Sequence, residues 1–422
     1  MSRRRGRNVA VLCGNSEAWI AVRDAVTAAG DVLVPINPRL APPEIAYILE
    51  RARVEAVYAD ADLAHLLPNG VAWLPAGGVT VERQPRPDEL GETLLFTSGT
   101  TGHPKGCRRT AAQDLARARE LVDTYSMTAA DVHVVASPLA YSAPGIFFRA
   151  ARLAGAANVI LPKFRPAAFL EAVQSHRATM FFLVPTQYER LLAMPETQRA
   201  RYDVSSVRCA IVAGAPIAVQ TKRRIIDWLG PGVLWEFYGS SETGTVAVLK
   251  PEDQLSRPGS VGTPPAGVEI QLIDGEIFVR SPTVMAGYLH EVADLREGFL
   301  SVGDLGRFDD DGYLYLVDRK HDTIISGGMN VYPAEVELAL NEHADVRGAV
   351  AFGVDDREWG QVVAAVVAGD VTEDQLRSHL RERIAGYKIP KRFVFVSPDE
   401  LPIGASGKPL RRRARCLVVG TA

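Results

Sequence analysis

The sequence is poor in the residues on which several common chemistries depend. Its 422 residues include four cysteines, Cys13, Cys107, Cys209 and Cys416, far apart and with no C-x-x-C. That argues against a disulfide framework or a zinc site and fits a reducing compartment. The eight histidines form no H-E-x-x-H or comparable ligand pair. No apolar run approaches the roughly 18 residues of a membrane-spanning helix. The basic start, Ser2-Arg3-Arg4-Arg5-Gly6-Arg7, leads into an apolar stretch too short for an export signal and soon broken by Asn15, Ser16 and Glu17. A cytoplasmic location is therefore expected. Charge of one sign is missing too: 47 Lys plus Arg against 50 Asp plus Glu leave a net −3. No global field favours nucleic acid or an acidic membrane, so an anionic ligand has to be gripped locally.

Apolar residues make up 47% of the chain, ample for a core and against disorder. The length suggests about two or three domains. From Val9 to about Ser301, strand-like runs (Val9–Leu12, Val32–Pro35, Val54–Ala59, Val132–Ser137, Asn158–Leu161, Thr179–Val184, Val207–Ala213) alternate with amphipathic helices such as Pro166–His176 and Val219–Leu229. In the second helix Val219, Ile226 and Leu229 share a face, and Gly230-Pro231 stops it. This is an α/β pattern of mixed, mainly parallel sheets flanked by helices. Glu269–Tyr315 reads instead as an antiparallel β element, with the acidic triplet Asp309-Asp310-Asp311 as a solvated turn. After Arg319 a compact α+β unit follows. It has a helix from Pro333 to Leu340, a strand over Val362–Val367, and a Thr372-capped helix carrying Leu376, Leu380 and Ile384 up to Gly386. The basic residues Lys391 and Arg411–Arg413 read as a solvated face.

The densest chemical signal lies between Thr97 and Gly106, where ten residues hold four hydroxyls, three glycines and Lys105. Such a loop brings backbone N–H groups, hydroxyl donors and a cation to a phosphate. It is not a Walker A loop, because Pro104 and Gly106 stand where that pattern needs Gly and Ser or Thr.

Together with five further segments in order, this loop resembles the adenylate-forming superfamily of acyl-CoA synthetases, adenylation domains and luciferases. The segments are Gly214-Ala215-Pro216; Phe237-Tyr238-Gly239-Ser240-Ser241-Glu242-Thr243; Ser301-Val302-Gly303-Asp304; Asp318-Arg319-Lys320-His321-Asp322 with Ser326-Gly327-Gly328; and Pro402-Ile403-Gly404-Ala405-Ser406-Gly407-Lys408. The resemblance implies a large N-terminal domain, 1–318, that binds ATP and an acid. It also implies a small mobile C-terminal domain, 319–422, that carries a catalytic lysine.

By that resemblance Thr97, Ser98, Gly99, Thr100, Thr101, Gly102 and Lys105 cradle the phosphates of ATP. Gly214, Ala215, Pro216, Glu236, Phe237, Tyr238, Gly239 and Ser241 lie around its base, Asp304 takes the ribose hydroxyls, and Arg319 contacts ribose or phosphate. Glu242 with Thr101 holds Mg²⁺. Tyr141, Ser142, Gly239 and Ser240 border the acid. Lys408 bridges the attacking carboxylate and the α-phosphate, a charge that reduces the repulsion between two anions. Gly327 and Gly328 face CoA after a swing about His321. A histidine in a hinge position invites a pH-sensitive hinge.

Two departures stand out. The chain enters the family pattern late, at Asn8–Trp19, and is short between Tyr58 and Glu92. Ala140-Tyr141 also replaces the family's aromatic-His pair, so Tyr141 is expected to narrow the acid pocket and to add a phenolic hydrogen bond. The expected reaction is activation of a small aromatic or short to medium acyl acid as an acyl-adenylate, with transfer to CoA. Rival acceptors are a carrier protein or an amine, including nitrite activation for an arylamine. The rival of another class is an inactive nucleotide-binding module. A homodimer is left open.

Overall fold

The computed structural model describes residues 6–81, 85–97, 104–290, 292–293, 295–319, 322, 324–326, 329–356, 359–384, 386–404 and 409–419. Four sheets carry the fold. The first runs Gly287–Tyr288, Lys105–Arg109, Glu92–Thr97, Val32–Pro35, Asn8–Leu12, Ala56–Ala59 and Leu74–Pro75. Its middle is parallel, and the Glu92–Thr97/Lys105–Arg109 hairpin adds an antiparallel edge. The second runs Gly244–Leu249, Leu234–Ser240, Cys209–Val212, Met180–Leu183, Val132–Val135 and Ala157–Ile160. It is parallel except at its first pair.

Val32–Pro35 matches its apolar run, whereas Ala56–Ala59, Val132–Val135, Met180–Leu183 and Cys209–Val212 run two or three residues shorter than theirs. Met180–Leu183 and Cys209–Val212 are buried along their whole length. Continuous apolar runs of this kind are what helices on both faces of a parallel sheet require. The helix Ala111–Thr124 opens with a reciprocal cap: Thr110 Oγ1 accepts from the Gln113 amide, and Gln113 Oε1 accepts from the Thr110 amide. Between it, the helix Ser142–Leu153 and the second sheet lies an aromatic core, in which Phe147 stacks on Phe182 at 5.4 Å.

The third sheet is antiparallel throughout: Ser260–Gly262, Leu314–Arg319, Phe299–Phe308, Glu276–Arg280 and Glu269–Ile273. Its acidic turn is held by more than solvent. Arg257 pairs with Asp309 at 3.1 Å and Asp311 at 2.5 Å, and Asp309 accepts from the Tyr313 amide.

The C-terminal sheet joins Met329–Val331, Ile324–Ser326, Gly360–Gly369 and Val346–Asp356, and Arg392–Val396 pairs with Gly360–Gly369. The helix after Thr372 spans Glu373–Arg381 and stops well short of Gly386. Leu376 and Leu380 are its buried face, and a new 3₁₀ turn starts at Gly386. Arg411 is not a solvated tail residue. It pairs with Asp322 and Glu337 and donates to the Ala351 carbonyl. Lys391 lies 4.0 Å from the centre of the Trp359 ring. No helix among the described residues is long and apolar enough to cross a membrane.

Candidate active site

Two hairpins from different sheets meet. In the first, Thr97 sits opposite Lys105, so both ends of the Gly- and hydroxyl-rich segment leave one edge of the first sheet. In the second, Ser240 sits opposite Gly244. Hydrogen bonds between the Ser240 and Thr243 hydroxyls and backbone amides tie this tip, and the Glu242 amide donates to Ser240 Oγ. Glycine is obligatory here. A Cβ on Gly239 would lie 2.1 Å from the Gly244 carbonyl oxygen, and Gly244 has φ +79° with Thr283 against it.

Between the hairpins, Thr97 Oγ1 donates to Glu242 Oε1 at 3.0 Å, and the Tyr288 hydroxyl approaches the same oxygen at 3.4 Å. Lys105 Nζ stands 5.3 Å from the centre of the Tyr288 ring. Tyr288 was not singled out in the sequence. It lies in a two-residue strand beside Lys105–Arg109, a pairing with no local signature. Arg109 fastens the two hairpins together. Its guanidinium donates to the Ser241 carbonyl at 2.7 Å and to Asp114 at 2.9 Å, and it also reaches the Thr283 carbonyl.

A third hairpin supplies the ribose-side candidate. The Tyr238 hydroxyl donates to Asp304 Oδ2 at 2.5 Å, and Asp304 is in register with Arg319 on the neighbouring antiparallel strand. Gly214, at φ +94°, turns the chain directly after the strand Cys209–Val212. Gly214 and Pro216 are exposed, and Ala215 is half-buried. Phe237 packs on the aromatic core, 6.0 Å from Phe182.

Glu236 behaves differently from its neighbours. Its carboxylate is buried against Lys222, itself 2% exposed, on the helix Val219–Leu229. Burial pushes the Glu236 carboxyl up, and Lys222 opposes that shift. The buried face of this helix is Thr221, Lys222 and Ile225, with Ile226 and Leu229 at its margin. A lysine three residues after Val219, inside the apolar stripe, was the available signal.

On the acid side, the Tyr141 hydroxyl accepts from Asn37 Nδ2 at 2.7 Å, and Ser142 Oγ accepts from both terminal nitrogens of Arg117 at 3.3 Å. The expected phenolic hydrogen bond is therefore made to the protein itself. Burial pushes the Tyr141 phenol up. Ser98, Gly99, Thr100, Thr101, Gly102, His321, Gly327, Gly328 and Lys408 lie outside the described residues. Ser326 is buried and pairs with Met329 in a hairpin. On either side of 405–408, Ile403 bridges to Pro409, and the Leu410 amide donates to the Pro402 carbonyl.

Residues 3–289 match the family described as AMP-binding enzyme, and residues 335–408 match the AMP-binding enzyme C-terminal domain. A feruloyl-CoA synthase of Amycolatopsis sp. is 33% identical, over 98% of this chain and 89% of that protein. The amide bond synthetase of Marinactinospora thermotolerans superposes with a TM-score of 0.84 at 29% identity, over 98% of this chain and 90% of its own. The o-succinylbenzoate coenzyme A synthetase of Bacillus subtilis, in complex with ATP and magnesium ion, superposes with a TM-score of 0.84 at 28% identity, again over 98% and 90%. With two consecutive family domains and relatives aligned along nearly its whole length, the chain belongs to the AMP-binding enzyme family of adenylate-forming acid ligases.

Proposed function

We propose that the protein uses ATP to convert a small carboxylic acid into an acyl-adenylate and passes the acyl group to CoA. One observation carries this reading: Thr97, Lys105 and Glu242 gather where two hairpins meet, and Tyr238, on the strand that leads to Glu242, bonds Asp304 of the third sheet. A phosphate chain needs donors and a cation at one end, and a nucleoside needs a flat ring and a carboxylate at the other.

The Glu242 carboxylate suits a hard cation. Both hydrogen bonds it accepts go to Oε1, and among the described residues none goes to Oε2. Glu242 and Thr101 would hold Mg²⁺, which supplies neutralising charge to the phosphates. Tyr238 gives the base a ring face, and its hydroxyl orients Asp304 toward the ribose. Lys408 brings the carboxylate and the α-phosphate together, and the 319–422 unit turns about His321 so that Gly327 and Gly328 meet the thiol. The co-substrates are ATP, an acid and CoA, and the enzyme works in the cytoplasm.

An acid-dependent pyrophosphate-exchange screen tests the first half, and mass spectrometry of the product with and without CoA tests the second. A flat result across a broad panel of acids, with nitrite plus arylamines included, defeats the reading and favours a nucleotide-binding module. The superposition on an amide bond synthetase favours a second acceptor, an amine, so amines belong in the same panel. An amide formed in the absence of CoA reassigns the second step alone.

A further inference from the structure

Beside Tyr141, where the helix Ser142–Leu153 meets the first sheet, the structure holds a small, partly open chamber of about 20 Å³. Its polar wall is made of Trp19, Arg23, Thr93, Tyr141, Ser142 and Arg149, and the rest is apolar or glycine. Trp19 is 4% exposed, and its indole N–H has no acceptor among the described residues. Thr93 Oγ1 donates to Asp114, whereas the Tyr141 and Ser142 oxygens accept, and among the described residues their own protons are not donated. Carboxylates are absent from the lining.

Charge around the chamber is unbalanced. Arg23 and Arg152 share Asp24, and Arg109 and Arg149 share Asp114. Arg117, buried beside them, bonds Ser142. Five guanidiniums thus surround two carboxylates. Burial, and then Arg149, pushes Arg23 down to about 10; burial, and then Arg109, pushes Arg117 down to about 9. A third acid, Glu120, lies nearby; burial pushes its carboxyl up, and Thr245, Arg117 and Arg109 oppose that shift. Buried cations in excess call for a compensating charge.

We propose that this chamber binds a small singly charged anion between Arg23 and Arg149, with the Trp19 N–H and the Tyr141 and Ser142 hydroxyls as further donors. The volume exceeds that needed for one water molecule, so it suits a monatomic ion or a single carboxylate group and excludes bulky anions. The chemistry has two sources: a free ion such as chloride, or a second carboxylate on the acid substrate entering past Tyr141. The second source rests on the reading of Tyr141 and Ser142 as acid-pocket residues; the site itself does not.

The test is thermal unfolding of the full chain, without nucleotide, in sodium chloride, formate or gluconate at one ionic strength. A ligand that binds only the native state raises the midpoint with saturation. Chloride and formate are expected to do so and gluconate is not. Trp19→Phe removes the N–H together with the smaller ring, so it is read against its own midpoint in gluconate, and it is expected to raise the half-saturating chloride concentration about tenfold. Arg149→Gln is expected to abolish the chloride effect. Equal midpoints in chloride and gluconate, or wild-type half-saturation in Trp19→Phe, overturn the proposal. A dicarboxylic acid that competes with chloride identifies the substrate's far carboxylate as occupant, and one that does not identifies the free ion. Because no turnover is read, failure of the pyrophosphate screen and failure of this site are separate results.

Discussion

Glu242 concentrates much of the proposed chemistry in one carboxylate. Glu242→Gln keeps an oxygen for the Thr97 hydroxyl but removes the charge, so it separates positioning from metal binding. It is expected to cut acid-dependent pyrophosphate exchange by about 10²-fold and to raise the Mg²⁺ concentration needed for half-maximal rate. Lys222 and Glu236 form a structural counterpart. Lys222→Met leaves a buried carboxylate without its partner and is expected to cost about 3–5 kcal/mol in denaturant unfolding. The double variant Lys222→Met/Glu236→Leu is expected to recover most of that loss, because two apolar side chains leave no uncompensated charge. This pair also marks a limit of sequence reading. Glu236 stands inside a nucleotide motif, yet its carboxylate is spent on a helix that only folding brings alongside.

Among the elements, the start of the second sheet is stapled by one acid. Asp131 accepts from Thr179 at 2.6 Å, from Arg208 at 2.8 and 2.7 Å and from the Thr128 amide at 2.8 Å. It thereby binds the entrances of three neighbouring strands. Burial alone would raise its carboxyl, but the hydrogen bonds from Arg208, Thr179 and Thr128 outweigh this and hold it down to about 2. The unfolded carboxyl titrates near ~3.9. Between those values the unfolded chain binds more protons, so stability rises with pH there. The contribution is fully present above the unfolded value and is lost as pH falls through about 2. Acid unfolding followed by circular dichroism is expected to show a steep loss across this window in the wild type and a shallower one in Asp131→Asn. The strands themselves were legible as uninterrupted apolar runs, and the helix after Thr372 by its cap. The staple was not legible, because its members are separated by 48 and 77 residues.

The chain as a whole is proposed to divide at residue 319, and Arg411 offers a way to test that division. It joins the last helix to Asp322, Glu337 and the Ala351 carbonyl, all after the boundary. Arg411→Met takes the cation away from the largely buried Glu337, which keeps the Ala351 amide as a donor, and is expected to cost the C-terminal unit about 2 kcal/mol. Hydrogen exchange should then rise beyond residue 319 and stay unchanged before it. A rise that spreads equally through both parts would show a single cooperative unit instead.

By itself, the sequence determined the layer architecture and the order of the phosphate-loop, aromatic-Gly and Asp304 segments. Those depend on apolar periodicity and on glycines and hydroxyls that are neighbours along the chain. Only the tertiary structure decided that Tyr288 joins Glu242, that Arg109 ties the two hairpins, that Tyr141 is held by Asn37, and that five arginines crowd around two aspartates. These are partnerships of single long side chains across sheets, and their energies depend on distance and burial, which no spacing in the sequence encodes.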